Sequence, residues 1–326
     1  MRNSPFAVIA GLLLVAAAPA VGQTSKTWKA PRTPDGHPDL QGIWSNATIT
    51  PLERPAELAG KAVLTEKEAQ EYERRTLQVD NRDRRDGAGT DADVARAYNE
   101  FWYDRGTQTV KSLRTSLIVD PVDGRIPPLT AEGQARMAAR TERKRLHPAD
   151  GPEDRGFSER CLNWTTAGPP MLPGAYNNNY EIVQTPDTVV IFNEMIHDAR
   201  IIPMDGRPHV PANLRLWLGD SRGHWEGDTL VVETTNFRDK AGLEGGLEIL
   251  HSTEHMKLVE RFKRVDADTL LYEFTVNDPF MYTRPWTAQI PSVRSKGPIF
   301  EYACHEGNYG MTGILSSARA EEKKAK

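Results

Sequence analysis

The chain has 326 residues, which is enough for one large domain or two domains of ordinary size. Its 41 basic and 45 acidic residues give a formal net charge of −4 at pH 7. This balance lacks the basic excess of a nucleic-acid-binding protein, and we expect no nucleic-acid partner. The absence of a Walker loop and of a G-x-G-x-x-G run argues against P-loop enzymes and dinucleotide-dependent dehydrogenases, so no nucleotide cofactor is expected.

The amino terminus has the pattern of a secretion signal. Arg2 precedes an apolar run at residues 6–18, and small residues follow as far as Gly22. The alternative is a membrane anchor, but the run is shorter than the ~20 apolar residues that span a bilayer. We therefore predict a signal peptide at residues 1–22, a periplasmic or secreted mature protein, and no membrane insertion after cleavage.

The chain has two cysteines, Cys161 and Cys304. In an oxidising compartment such a pair most simply forms one disulfide, and two buried free thiols are the alternative. Closing so long a loop would stabilise the fold by up to ~4–5 kcal/mol in the chain-entropy model. The two cysteines lack the close spacing of zinc ligands, so no metal site is predicted on them.

Two segments precede the predicted β-structure. Prolines disfavour helix in residues 23–63, where we expect an extended arm laid over the surface by anchors such as Leu40 and Trp44. Residues 64–176 are predicted to be helical or irregular, with one hairpin that turns at Asp123-Gly124.

Three helices are predicted within this second segment. Their expected bounds are 65–79, 91–106 and 130–146. Thr65 and Glu68 form a capping-box pattern at the start of the first helix. The second helix carries aromatic side chains that would either pack against the core or stack on a sugar or an aromatic ligand. These are Tyr98, Phe101, Trp102 and Tyr103.

From residue 177 the pattern changes to short strands separated by turn signals such as Asp205-Gly206 and Glu226-Gly227. Alternation of apolar and polar residues, as in 228–237, is typical of strands with one buried face. Eight or nine such strands without intervening helices predict a mainly β fold over 177–310. The predicted architecture is an antiparallel meander that closes into a barrel or a sandwich. Residues 311–326 are expected to form a polar tail.

The first candidate site lies at the end of the most apolar strand, where polar residues replace the apolar run. Glu194, His197, Asp198 and Arg200 fall within seven residues. Imidazole and carboxylate groups together suit general acid–base chemistry, because the imidazole titrates near neutral pH and an acid can orient it. We predict His197 as the acid–base group, Glu194 and Asp198 as its partner acids, and Arg200 as a substrate contact. The alternative is a surface pair of Asp198 and Arg200 beside a structural bend.

The second candidate site is the segment around Cys304. His305, Glu306, Asn308 and Tyr309 would form a ligand-contacting loop, or else a turn held down by the disulfide. His197 and His305 with a carboxylate would suit zinc or iron by ligand type, but nothing in the spacing brings them together, so no metal site is predicted.

One carboxylate stands out inside the predicted sheet. Glu260 shares a strand face with Leu258 and Phe262. A carboxylate on an apolar face is either paired with a cation or part of a pocket, and it is retained as a substrate-binding candidate.

Several long phrases resemble a family of exported proteins from soil bacteria. They include RTSLIVDPVDGRIPPLT, EMIHDARIIPMDGRPH, GDSRGHWEGDTLVVETTNF and EYACHEGNYGM. The resemblance covers nearly the whole mature chain and implies export, but it brings no activity, cofactor or catalytic residue. The turn in WEGDTLVV also resembles hairpins of lipocalin-like barrels, which is a statement about fold alone.

These observations give two hypotheses about function. The first is an exported protein that binds a small molecule in a β-barrel pocket and acts on a polar or carbohydrate-like substrate by acid–base chemistry, as a hydrolase or a lyase. The alternative is a lipocalin-like carrier that holds an apolar ligand without catalysis. Inner-face side chains would then line its cavity. Those side chains are Leu230, Leu258, Phe262 and Phe274.

Overall fold

The computed structural model describes residues 28–85, 87–96, 98–239 and 253–324 of the chain. The predicted signal peptide lies outside these residues. No helix of the described chain is long and apolar enough to cross a lipid bilayer. As predicted, the described chain is mainly β-structure, with one antiparallel sheet and four α-helices.

Ten strands of the described chain form the sheet. They are β1 (Gly42–Ser45), β2 (Ile118–Asp120), β3 (Asn179–Gln184), β4 (Thr188–Asn193), β5 (Ala199–Pro203), β6 (Asp220–Glu226), β7 (Thr229–Thr235), β8 (Lys257–Arg264), β9 (Thr269–Asn277) and β10 (Trp286–Arg294). Nine follow one another in the order β5-β4-β3-β1-β10-β9-β8-β7-β6, each antiparallel to the next, and curve into a nearly closed barrel. β2 pairs with the start of β10, while β1 pairs with its end.

An odd number of antiparallel strands leaves the first and the last strand of the order running in the same direction. These are β5 and β6, which meet at what we call the seam. Gly223 of β6 packs so closely on β5 that an added Cβ would lie 2.3 Å from Met204 Sδ and 3.0 Å from Ile202 Cγ2. Side-chain packing therefore brings the two edges of the sheet together at the seam.

The predicted surface arm differs from the structure at its centre. β1 lies inside the sheet between β3 and β10, and Trp44 is fully buried with its indole N–H donating to the Leu40 carbonyl at 2.9 Å. The pattern of Pro residues correctly disfavours helix. It conceals a four-residue strand, which is too short for alternation to be recognised.

The helices are α1 (Glu66–Asp80), α2 (Asp91–Arg96), α3 (Ala131–Leu146) and α4 (Tyr309–Lys324). The capping box of Thr65 and Glu68 is confirmed at the start of α1, and Thr130 caps α3 by accepting from Gly133 N at 2.9 Å. The second predicted helix is wrong beyond Arg96, because residues 100–102 form a separate 3-10 turn.

The carboxyl-terminal segment also departs from the prediction. The predicted β region extends to residue 310, but residues 298–306 form no strand, and most of the expected polar tail at 311–326 forms α4. The Ala, Glu and Lys content of α4 favours a helix, and Lys323 and Lys324 in its last turn complement the helix dipole.

The core lies inside the barrel. Inward-facing positions of β7 to β10 alternate along each strand and are almost fully buried, including Leu258, Phe262, Phe274 and Trp286. Burying each such side chain stabilises the fold by ~1.5–3 kcal/mol. Phe262 stacks on Tyr272 with ring centroids 4.9 Å apart, so the protein's own side chains fill this part of the interior.

Candidate functional site

A buried loop, residues 165–172, packs into the barrel; we call it the plug. Met171 and Leu172 belong to the core, and Met171 N donates to the Tyr272 hydroxyl at 3.1 Å. Gly168 has φ +66°, and an added Cβ would lie 2.7 Å from Met171 N. Only glycine fits this position without strain, so the close packing of the plug depends on it.

A buried ion pair lies next to the plug. Arg200 of β5 donates to both carboxylate oxygens of Glu260 of β8, at 2.6 and 3.0 Å, and the Tyr272 hydroxyl donates to the same carboxylate at 2.7 Å. Glu260 exposes none of its surface. This answers the choice left open by the sequence, because the carboxylate on the apolar face is paired with a cation.

Burial and the charge of Glu260 act in opposite directions on the pKa of Arg200 and in the same direction on the pKa of Tyr272. Burial favours the neutral form of Arg200, but the carboxylate of Glu260 outweighs it and the pKa of the guanidinium is raised. The pKa of Tyr272 is raised well above its usual value, first by burial and then by the neighbouring negative charge of Glu260. Tyr272 is therefore a hydrogen-bond donor at neutral pH, and Arg200 remains charged.

The turn between β4 and β5 carries the predicted catalytic residues. Glu194 is buried and accepts from the side-chain amides of Asn177 and Asn179, at 2.7 and 2.8 Å. The ring of His197 packs edge-on against Phe192, with centroids 4.6 Å apart. Glu194 thus fixes the turn through two asparagines, and its predicted role as an acid that orients His197 stays a prediction.

The backbone of this turn is unusual. Ile196 and His197 have φ of +65° and +58°. Non-glycine residues rarely adopt this conformation, and a β-branched residue such as isoleucine is a genuine outlier there. Each such residue costs on the order of 1–3 kcal/mol, and strain of this kind tends to occur at functional sites.

A cleft opens between the plug, the β4–β5 turn and the residues before β6. Counted with the open solvent at its mouth it measures about 280 Å³, but the space inside it is only about 10 Å³, room for roughly one water molecule. Its lining residues are Leu162, Asn163, Ala167, Gly168, Pro169, Asn193, Ile196, Asp198, Arg200 and Leu218. The cleft therefore sits at one end of the seam and combines apolar walls with amide, carboxylate and guanidinium groups.

One cleft-lining residue carries an unpartnered buried polar atom. Asn193 exposes only 5% of its surface, yet its Oδ1 has no hydrogen-bond partner among the described residues. Nδ1 of His197 and Oγ1 of Thr166 are also buried without a partner, and each residue is next in sequence to a lining residue. Buried polar atoms are normally paired, so the acceptor of Asn193 calls for an explanation.

The structure brings only part of the predicted site together. Asp198 and Arg200 line the cleft and do not pair with each other, since Arg200 binds Glu260 and Asp198 accepts from Ala199 N. Sequence reasoning missed Asn163 and Asn193. The strand alternation could have identified Asn193, because it lies at every second position with Val189 and Ile191 and so shares their inward face of β4. No comparable signal exists for Asn163, which lies in irregular chain.

The segment around Cys304 lies behind the cleft wall. The predicted disulfide is present, with an S–S distance of 2.06 Å between Cys161 and Cys304. Asn308 donates from Nδ2 to the Glu159 carbonyl at 2.9 Å. The side chains of His305, Glu306 and Tyr309 are exposed, and none of them lines the cleft. Their predicted contact with a substrate stays a prediction.

The residue types present raise two further possibilities, a serine nucleophile and a metal site. A Gly-Asp-Ser-Arg-Gly run at 219–223 matches the G-x-S-x-G pattern of serine hydrolases. Ser221, however, is buried within β6 and bonded to Thr234, while its neighbour Asp220 binds His209 at 2.8 Å. Adjacent residues of a strand face opposite sides, so Ser221 and His209 do not form a nucleophile–base pair. Within the described chain, no three His, Cys, Asp or Glu side chains form a cluster that could hold a metal ion.

Comparison with known proteins gave no match to any family model, to any curated protein or to any solved structure.

Proposed function

We propose that this protein is exported and binds a small, polar molecule at the mouth of the cleft at the end of the seam, with one hydroxyl of the molecule entering the cleft. The observation that carries the proposal is the buried, unpaired Oδ1 of Asn193. An unsatisfied buried acceptor costs ~1–3 kcal/mol, and a ligand hydroxyl that donates to it would remove this cost on binding.

The remaining lining groups support the same ligand class. Asp198 supplies an acceptor, and Arg200 and Asn163 supply donors, so both sides of a hydroxyl can be bonded. Leu162, Pro169 and Leu218 provide apolar walls for the carbon skeleton. Binding sites for small molecules typically combine apolar walls with a few placed polar groups.

The carrier hypothesis receives less support from the interior. The four side chains expected to line an apolar cavity are fully buried in the core: Leu230, Leu258, Phe262 and Phe274. A charged pair, Arg200 with Glu260, lies beside them. These surroundings suit a polar ligand at the mouth better than an apolar ligand inside the barrel.

Binding is tested by calorimetry of the mature protein with monosaccharides, polyols and small hydroxy acids. We expect Asn193→Leu and Asp198→Asn to weaken binding of the best ligand at least tenfold, because each removes an acceptor at the cleft. Asn213→Leu, an exposed position outside the cleft lining, is the matched control and keeps wild-type affinity. Equal affinity of all three variants would refute the cleft as the binding site.

A second candidate function is acid–base catalysis by His197 on the bound molecule. The strained backbone at Ile196 and His197 and the unpartnered Nδ1 of His197 favour it. Once a ligand is found, its turnover is followed with His197→Gln, and His224→Gln, at an exposed histidine outside the cleft lining, is the control. Unchanged turnover in His197→Gln would leave binding as the function and exclude this histidine from catalysis.

A further inference from the structure

A patch of aromatic side chains covers the surface beside the cleft. It consists of Tyr98, Phe101, Trp102, Tyr103, Trp164, Tyr176 and Tyr302, and we call it the aromatic patch. The rings of Tyr98, Tyr103, Tyr176 and Trp164 form one series with neighbouring centroids 5.4–6.2 Å apart. Phe101 and Trp102 form a separate pair with centroids 5.3 Å apart. Phe101 and Trp102 expose 79% and 60% of their surface. The sequence left open whether the rings of this region pack or stack on a ligand, and these two rings do not pack inside the core.

The aromatic patch is continuous with the cleft along two stretches of chain. Trp164 follows the cleft residue Asn163, and Tyr176 precedes Asn177, which bonds to Glu194 in the β4–β5 turn. The Cys161–Cys304 disulfide holds Tyr302 near the same place. Trp164 and Tyr176 therefore connect the aromatic patch, through the chain, to residues of the cleft and of the β4–β5 turn.

Several bonds hold the rings in place. Asn99 caps the turn of Phe101 by accepting its N–H at 2.9 Å, and Arg105 lies over the ring of Tyr103 at 4.3 Å. Asp104 N donates to the Ala175 carbonyl at 3.0 Å, which ties this turn to the chain next to Tyr176. Rings fixed before binding lose little conformational freedom when a ligand stacks on them, which favours affinity.

The charges of the aromatic patch identify the kind of ligand. Arg105 pairs with Glu100 at 2.5 Å, and the carboxylate of Asp104 accepts from the side chain of Asn178 at 2.9 Å. Arg82 lies 5.7 Å from the ring of Tyr103, and Asp83 accepts from Glu100 N at 3.0 Å, so acidic residues balance the basic ones and the patch has no basic excess. An uncharged ligand therefore fits better than a nucleic acid or an anionic membrane, both of which require a basic surface.

We propose that the aromatic patch binds a neutral polysaccharide, whose chain runs from the cleft over the exposed rings. Sugar rings present faces of C–H groups that stack on aromatic side chains, and their hydroxyls bond to amide and carboxylate groups. The cleft supplies such groups in Asn163, Asn193 and Asp198. This inference rests on the proposed function, since it names the substrate class of the same site.

The test is the retardation of the full mature protein in native gels that contain xylan, mixed-linkage β-glucan or starch. The wild type is expected to be retarded by at least one of these polymers. Trp102→Ala and Phe101→Ala should weaken that binding about tenfold each, in line with the loss of one stacking partner. Phe280→Ala, which removes an exposed ring outside the patch, should leave retardation unchanged.

Three outcomes overturn the inference. These are the absence of retardation by any polymer, equal retardation of the patch variants and the wild type, and dissociation of an oligomer by Trp102→Ala in analytical ultracentrifugation. The last result would make the patch an interface between copies of the chain. Failure of the proposed function is recognised separately: polymer binding that depends on Trp102 but not on Asn193 would keep the aromatic patch and remove the cleft.

Discussion

At the scale of single residues, the site is defined by groups that do not satisfy ordinary folding requirements. Asn193 buries an acceptor without a partner, and Ile196 adopts a backbone conformation that disfavours its side chain. A sequence designed only for stability would avoid both features. Their occurrence within four residues is what motivates the functional role that we propose for this turn.

Asn193→Leu is expected to raise the free energy of unfolding by ~1 kcal/mol, because leucine has a similar volume and removes the unpaired acceptor. Urea denaturation followed by tryptophan fluorescence measures the change. Asn213→Leu at the surface should stay within ~0.5 kcal/mol of the wild type. Destabilisation by Asn193→Leu would show that the amide is bonded in the folded protein.

Glu68 gives a prediction about pH. A hydrogen bond from Lys61, with further bonds from Thr65, lowers the pKa of this carboxyl to about 2 from an ordinary value of 4.5. The folded state therefore prefers the charged form, and its contribution to stability is fully present above pH 4.5 and lost as pH falls toward 2.

We expect the difference in unfolding free energy between the wild type and Glu68→Gln to be largest at pH 5–7 and to shrink steadily as pH falls from about 4.5 to about 2. Chemical denaturation over this pH range measures it, and Glu66→Gln in the same helical turn is the control. A difference that grows on acidification would contradict the assignment.

At the scale of elements, local sequence patterns correctly predicted the starts of two helices and the long strands. The capping residues Thr65 and Thr130 marked the starts of α1 and α3, and alternation marked the long strands β7, β8 and β9. The predictions were incomplete where long-range pairing decides the structure. β1 is four residues long and is a strand because β3 and β10 flank it, which no local pattern records.

The ion pair between β5 and β8 is the strongest polar link across the barrel interior. Removing one partner of a buried pair leaves an uncompensated charge, whereas removing both can be neutral. Glu260→Gln is therefore expected to destabilise the fold by ~3–5 kcal/mol, and Arg200→Met with Glu260→Leu by much less.

A double-mutant cycle in urea measures this coupling. Lys257→Met with Glu233→Leu, which removes an exposed pair at 2.8 Å, is the control and should change stability by less than ~1 kcal/mol. Equal destabilisation by the single and the double interior variants would show that the pair is needed for packing and not for charge balance.

At the scale of the whole molecule, the candidate site is assembled from parts far apart in sequence. The polar turn at Glu194–Arg200 was recognisable because its residue types change abruptly after an apolar strand. The plug was not, since residues 165–172 carry no periodicity, and their position inside the barrel depends on packing against Tyr272. The sequence could not show whether the His305 segment meets this turn; in the structure the Cys161–Cys304 disulfide and the Asn308 side chain hold that segment beside Glu159, and none of its residues lines the cleft.

The disulfide joins two cysteines 143 positions apart and ties the chain before α4 to the chain before the plug. Replacing both cysteines, Cys161→Ser with Cys304→Ser, is expected to lower the free energy of unfolding by ~2–5 kcal/mol. Urea denaturation with and without reductant measures it. Reductant should lower the stability of the wild type by a similar amount and leave the serine variant unchanged. An effect of reductant on the serine variant would contradict the assignment to this bond.

The parallel arrangement of β5 and β6 has a consequence for how the barrel opens. A ring fully closed by hydrogen bonds has no preferred place to come apart, but here each of these two strands is laddered on one side only. Local thermal opening of the barrel should begin between β5 and β6, because no ladder of backbone hydrogen bonds joins these two strands. Amide protons of Ile202 and Gly223 should then exchange with deuterium faster than those of Phe274 in β9, and a ligand seated in the cleft would slow them. Hydrogen-exchange mass spectrometry of the β5 and β6 amides would therefore report whether the cleft is occupied by a ligand.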